Sequence, residues 1–335
     1  MLDGNENILD KILKFEDMIN SNKSIFLDLD DIEDIILYYL NEENFKYAEK
    51  AIDFGVNLYP ENLNIIILKS ELLLLINKKN EAENLVSKFI KFNNSNLDLI
   101  FQKAKILTSK KKYKDSIKLL TNIAFSSELD FYVNDLLFKN YINIEDYINA
   151  IKVGKKIIFI NPDNKLFFDK LLSCYKLSKK KNEAIKFLNE FLDKNPYSAY
   201  AWNELGKVYF EQKKFKESKT CHDFAIISDE SFTQSYLELA KIHEKIEDFS
   251  KAIYYYKIVD NKNKSSTYSL YRLSRCYEKI SDYDSSMRYL NRIVKEDPLY
   301  EKAWISIAKY YLRKNDHDKA IENLNTALNI ISKNY

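Results

Sequence analysis

The four prolines of the sequence stand at 60, 162, 196 and 298, and its two tryptophans at 202 and 304. The prolines are separated by 102, 34 and 102 residues and the tryptophans by 102, so every interval is a multiple of 34. A fixed period of this length is the mark of a chain that stacks copies of one small structural unit. Set in register, it gives nine gapless units starting at Leu29, Leu63, Leu97, Phe131, Lys165, Ala199, Thr233, Thr267 and Glu301, the ninth running to Asn334.

Only 4 glycines and 4 prolines punctuate 335 residues. Folds that bring backbone close to phosphate need clustered glycines, and all-β folds need frequent turn residues, so the composition predicts an all-α chain. With 46% hydrophobic residues it has ample material for a core. Each unit reads as two amphipathic helices. In residues 199–232, Trp202, Leu205, Gly206 and Tyr209 share one helical face, and Phe215 opens a second helix after Lys213-Lys214. The twentieth residue of the nine units is Ala48, Ala82, Ser116, Ala150, Ala184, Ser218, Ala252, Ser286 and Ala320, small in every case, as close helix packing demands. Three residues earlier, six units carry an aromatic (Phe45, Tyr113, Tyr147, Phe215, Phe249 and Tyr283) that can close the turn.

The pattern W-x2-L-G-x2-Y, followed by a small residue, an apolar one, Ala and Pro, resembles the tetratricopeptide repeat, and residues 199–232 and 301–334 follow it best. The resemblance covers residues 29–334. It implies a right-handed α-solenoid of nine tandem repeats, 29–62, 63–96, 97–130, 131–164, 165–198, 199–232, 233–266, 267–300 and 301–334. Residues 1–28 would form an amphipathic capping helix, with Ile8, Leu9, Ile12, Leu13, Phe15, Met18 and Ile19 on its apolar face, and a linker. Lys69 and Lys103 replace a usual leucine, and Gly55 and Gly154 fall inside second helices. Repeats two to four are therefore expected to be looser, since glycine inside a helix costs about 0.5–1 kcal/mol relative to alanine.

Chemistry finds little support. His222, His243 and His317 occupy inward or turn-closing aromatic phases and read as replacements for Tyr or Phe, so no metal site is expected. Cys221 and His222 are adjacent and cannot face each other on a helix, and no third catalytic group is evident. No cofactor and no enzymatic activity are expected. Cys174, Cys221 and Cys276 are too few and too dispersed for a disulfide framework, which suits a reducing compartment. No basic segment precedes the first apolar residues and no run approaches the length of a membrane span, so the reading is a soluble, cytoplasmic protein without a membrane partner. The net charge of +2 argues against nucleic acid as a partner, although residues 1–62 alone carry 15 acids against 5 lysines. No function is assigned to the richness in Asn, Lys and Ile.

The resemblance implies that first helices line a concave groove in which peptides or partner helices bind. From the sixth repeat onward the ninth residue is Lys207, Lys241, Arg275 and Lys309, with Lys105 and Lys139 in the same phase earlier. Beside that column stand Tyr200, Asn203, Gln234, Tyr268, Tyr271, Arg272 and Lys302, completing a basic, tyrosine-rich strip suited to an acidic peptide. All five arginines lie between 272 and 313. No repeat has lysine at its fifth residue, so the carboxylate clamp that holds chaperone tails is not expected, and the period of 34 disfavours pentatricopeptide RNA binding. The leading function is a scaffold for a protein or peptide partner. The alternatives are a regulatory sensor gated by a short peptide, or self-assembly through residues 301–335, where Ile321, Leu328 and Ile331 would face no following repeat. The chain could equally be a fragment of a longer array.

Overall fold

The computed structural model describes residues 3–21, 27–122, 130–262 and 266–333, and every regular element among them is an α-helix. Two compact units divide the chain after Lys179. The first holds α1 (Asp3–Ser21), α2 (Leu29–Asn41), α3 (Phe45–Leu58), α4 (Leu63–Leu75), α5 (Lys79–Ile90), α6 (Leu97–Ser109), α7 (Tyr113–Thr121), α8 (Asp130–Asn143), α9 (Tyr147–Ile160) and α10 (Lys165–Leu177). The second holds α11 (Lys181–Lys194), α12 (Ala199–Glu211), α13 (Phe215–Ser228), α14 (Thr233–Lys245), α15 (Phe249–Asn261), α16 (Thr267–Lys279), α17 (Tyr283–Glu296), α18 (Glu301–Arg313) and α19 (His317–Lys333). Within each unit consecutive helices pack against one another, the arrangement of an all-α helical repeat solenoid.

Helix starts follow the 34-residue frame. Apart from α8, which begins one residue early, first helices begin on the first residue of the frame and second helices on the seventeenth. Local chemistry fixes both starts. At the sixteenth residue Asn44, Asp146, Asp248 and Asp282, and at the thirty-fourth Asn62, Asn96, Asn164, Ser198 and Ser266, accept a hydrogen bond from the backbone N–H three residues on. Part of the asparagine content thus works as helix caps. Between the paired helices the fifteenth residue turns left-handed: Glu43, Asn77, Lys111, Glu145, Lys179, Lys213, Glu247, Ser281 and Asn315 have φ between 55° and 65°. Glycine usually takes this position; here charged and polar residues hold it. The next N–H closes the turn by donating to the carbonyl five residues back, as in Asn44 to Tyr39 (2.9 Å) and Lys214 to Tyr209 (3.0 Å).

The rare residues mark the joints between units of the frame. Trp202 Nε1 donates to the Pro196 carbonyl and Trp304 Nε1 to the Pro298 carbonyl, both at 2.8 Å. Proline ends one helix pair and the indole six residues later ties the chain to that stop. At the first unit's start, α1 packs Ile12 and Phe15 into the core of α2 and α3. Lys11 sits between Asp31 (2.8 Å) and Asp34 (2.7 Å), and the Tyr39 hydroxyl donates to Glu16 (2.9 Å).

The expectation that Gly55 and Gly154 loosen their helices meets a different packing. A methyl on Gly154 would stand 2.9 Å from both Leu171 Cδ1 and Phe138 Cε2, and one on Gly55 would stand 2.9 Å from Ile32 Cγ2. The missing side chains are filled by neighbours. Phe138, at the eighth frame residue, lies against Gly154 at the twenty-fourth. In the second unit the volumes are exchanged, with Gly206 at the eighth residue and His222 at the twenty-fourth, whose Nε2 would lie 2.6 Å from an added methyl. Large opposes small at both places, in opposite order.

This exchange is testable. Gly206→Ala gains about 0.5–1 kcal/mol of helix propensity but overpacks the contact by about 1–3 kcal/mol, so the thermal midpoint falls. Adding His222→Ala to Gly206→Ala should make the double variant more stable than the sum of the two single losses by about 1 kcal/mol or more. Strict additivity would show that the two positions do not share space.

Candidate functional site

The cations of the strip lie on α12, α14, α16 and α18, and most are paired. Lys207 Nζ is 2.6 Å from Glu204, Lys241 Nζ 2.9 Å from Glu238, and Arg275 Nη1 2.9 Å from Glu278, each carboxylate three residues away on the same helix. In the first unit Lys139 pairs with Asp135 (2.6 Å) and Lys105 with Glu71. The column is a ladder of ion pairs. Lys302 and Lys309 are exposed, and no ion pair joins them among the described residues.

The polar and aromatic members divide. Asn203 is buried: its Oδ1 accepts from Ser235 Oγ (3.2 Å), which ties α12 to α14, and its Nδ2 donates to Glu204 (3.0 Å). It belongs to a helix contact. Gln234 donates to Glu238 (3.0 Å), so Glu238 gathers Gln234 and Lys241 on one oxygen. Tyr268 is exposed, Tyr200 is half-buried, and Tyr271 meets Tyr300 edge-on with centroids 5.6 Å apart.

Arg272 is held by a buried carboxylate. Glu244 Oε2 accepts from Arg272 Nε (3.0 Å), Arg272 Nη2 (2.8 Å) and the Tyr256 hydroxyl (2.9 Å), while Oε1 accepts from Cys276 Sγ at 3.3 Å. Three helices, α14, α15 and α16, meet on this one group. Burial and the Glu244 charge push the Tyr256 hydroxyl and the Cys276 thiol far up, so both stay protonated. Beside this group opens a cleft of about 350 Å³ lined by Glu244, Lys245, Glu247, Phe249, Arg272, Arg275 and Lys279. Glu278 then bridges two arginines, taking Arg275 on Oε2 and Arg313 on Oε1 (2.7 Å). The Arg313 guanidinium lies 4.7 Å from the Tyr283 ring centroid. Arg292 sits elsewhere, on second helix α17, paired with Asp260 (2.8 Å) and Glu296 (2.8 Å).

Cys174, Cys221 and Cys276 are free and buried, and burial pushes the Cys174 thiol up to about 11 and Cys221 to about 12. At neutral pH each is a thiol, a poor nucleophile. No cluster of three or more His, Cys, Asp or Glu among the described residues could hold a metal ion. No helix there is long and apolar enough to cross a membrane.

His222 and His243 are buried, and the His222 ring makes no hydrogen bond. Burial, with Lys207 on α12 and Lys241 on α14 adding repulsion, drops His222 to about 3. His243 is also lowered by burial, against the opposing pull of Asp248, whose Oδ2 is 3.2 Å from Nδ1. Both rings are therefore neutral in the fold and take up protons near 6.5 once exposed. The unfolded chain then binds more protons below pH 6.5, so for His222 stability falls as the pH drops from 6.5 to about 3, and His243 contributes in the same direction. For His222 the loss is about 2 kcal/mol at pH 5. Urea midpoints at pH 7 and pH 5 should separate for the wild type and draw together in His222→Leu; an unchanged separation would remove His222 as the cause.

The tetratricopeptide repeat family matches at residues 268–299 and again at 301–334. No curated protein matches the chain. Among solved structures, YrrB, described as a TPR protein with an unusual peptide-binding site, has 20% identity and a TM-score of 0.45, covering 54% of this chain and 93% of its own. MamA from Desulfovibrio magneticus RS-1 has 15% identity and a TM-score of 0.46, covering 51% of this chain and 97% of its own. The APC/C hetero-tetramer Cut9–Hcn1 has 13% identity and a TM-score of 0.38, covering 96% of this chain and 82% of its own. With two adjoining segments matched to the family, and the same helix pairing on a 34-residue frame through the described residues, the chain is a tetratricopeptide repeat protein.

Proposed function

We propose that the protein is a non-enzymatic interaction scaffold that holds an acidic peptide along α12, α14, α16 and α18. The observation that carries this is the column of cations at one repeat phase, Lys207, Lys241 and Arg275 each paired with a carboxylate of its own helix and Lys309 left exposed without an ion pair among the described residues. In each pair the cation is 30–37% exposed and the carboxylate only 10–17%, so it is the cation that faces an incoming partner. A peptide carboxylate would add to the open side of these cations rather than displace Glu204, Glu238 or Glu278, which are largely buried and also hold Asn203, Gln234 and Arg313. Net attraction comes from Lys302, Lys309, Lys245 and Lys279, which lack an internal ion pair among the described residues, and from the Arg272–Arg275 cleft. Tyr268 and Tyr271 supply apolar area of low conformational entropy beside it. Three free, buried cysteines support a reducing, cytoplasmic setting.

A fluorescein-labelled peptide of alternating Glu and Tyr tests the reading by anisotropy. Affinity should fall about tenfold or more between 50 and 300 mM salt, and again by about tenfold in Lys241→Glu/Arg275→Glu/Lys309→Glu at unchanged helicity. Binding indifferent to both salt and the triple substitution would move the interaction away from this ladder.

A further inference from the structure

Helix α19 exposes Ile321, Leu324, Leu328 and Ile331, at spacings of 3, 4 and 3 residues, which place all four on one face. Ala320, Ala327 and Ile330 of the same helix are buried. Residues in the same frame phase as Leu324 are covered in earlier pairs: Ile52, Leu120 and Leu290 are 1%, 0% and 3% exposed, against 42% for Leu324. Where the phase of Ile321 holds isoleucine in earlier pairs it is covered, fully at Ile151 and Ile253 and partly at Ile117 and Ile185, whereas Ile321 is exposed. This face therefore has the chemistry of surfaces that elsewhere in the chain carry a packed helix, and no described element lies over it.

We propose that the occupant is α19 of a second copy, packed antiparallel about a two-fold axis. The order Ile, Leu, Leu, Ile reads the same in both directions about residue 326. An antiparallel partner therefore sets Ile321 against Ile331 and Leu324 against Leu328 in a single register. A two-fold contact brings every residue near its own kind, so charges flanking the stripe would repel. Next to the stripe on its open side come Asn325 and Ser332, both exposed and uncharged. Asp318 and Glu322 lie further round the helix. Four side chains fall short of the ~800 Å² per partner of a standard stable interface, so the dimer forms and dissociates with concentration. The proposal is independent of the peptide surface proposed above, which would lie on other helices.

Sedimentation of the full chain over roughly 2–200 µM tests it, a range suited to an interface below standard size. The mass should rise from 39.7 kDa toward twice that value, while Leu324→Glu/Leu328→Glu, altering only exposed side chains, keeps full helicity and stays at 39.7 kDa. Register is read by oxidation: Leu324→Cys chains mixed with Leu328→Cys chains should cross-link to each other more than either does to itself. A wild-type monomer throughout, a mass insensitive to the Glu substitutions, stronger like-with-like cross-linking, or a ladder of trimers and larger species would each overturn the two-fold dimer.

Discussion

Two helices can lie at contact distance only where the side chains between them are small, and one frame phase bears that constraint along the whole chain. The twentieth residues, Ala48 through Ala320, are alanine or serine and all are buried. At two of the three serines the hydroxyl finds a carbonyl on the facing helix: Ser116 donates to Ala104 (2.9 Å) and Ser218 to Gly206 (2.7 Å). With that contact set, the eighth and twenty-fourth residues must share the remaining volume. Phe138 with Gly154, and Gly206 with His222, are two solutions to the same space. The depressed basicity of His222 follows, because the ring occupies an apolar slot made for a hydrocarbon.

Much of this was legible from residue intervals. Proline and tryptophan spacing revealed the frame because each has one mechanical task, a helix stop and an indole donating back to it, and neither residue is spent elsewhere. The small phase was equally visible. The volume exchange was not, since Gly154 scanned alone reads as a weak helix residue, and its partner is known only once Phe138 is seen against it. Asparagine caps were hidden by composition: Asn62, Asn96 and Asn164 look like background in an asparagine-rich chain until their shared phase is noticed.

The strip shows the same division. Its cations stood out by phase, but Glu204, Glu238 and Glu278, three residues away on the same helices, went unread although the spacing alone specifies such pairs. Asn203 could not be placed without knowing that Ser235 of the next first helix reaches it. Glu244 was also missed, because its partners Arg272, Tyr256 and Cys276 come from two later helices. Charge along these first helices is organised as short-range pairs, most of whose carboxylates are themselves tied to a second polar group.

The packing constraint is tested most directly by thermal unfolding of Ala252→Ser and Ala252→Leu. Serine, already present in this phase at three other places, should cost less than about 1 kcal/mol, whereas leucine should overpack the α14–α15 contact by about 3 kcal/mol or prevent folding of the second unit. A leucine variant as stable as the serine variant would mean that the twentieth residue does not set the distance between paired helices, and the account of the fold built on it would fail.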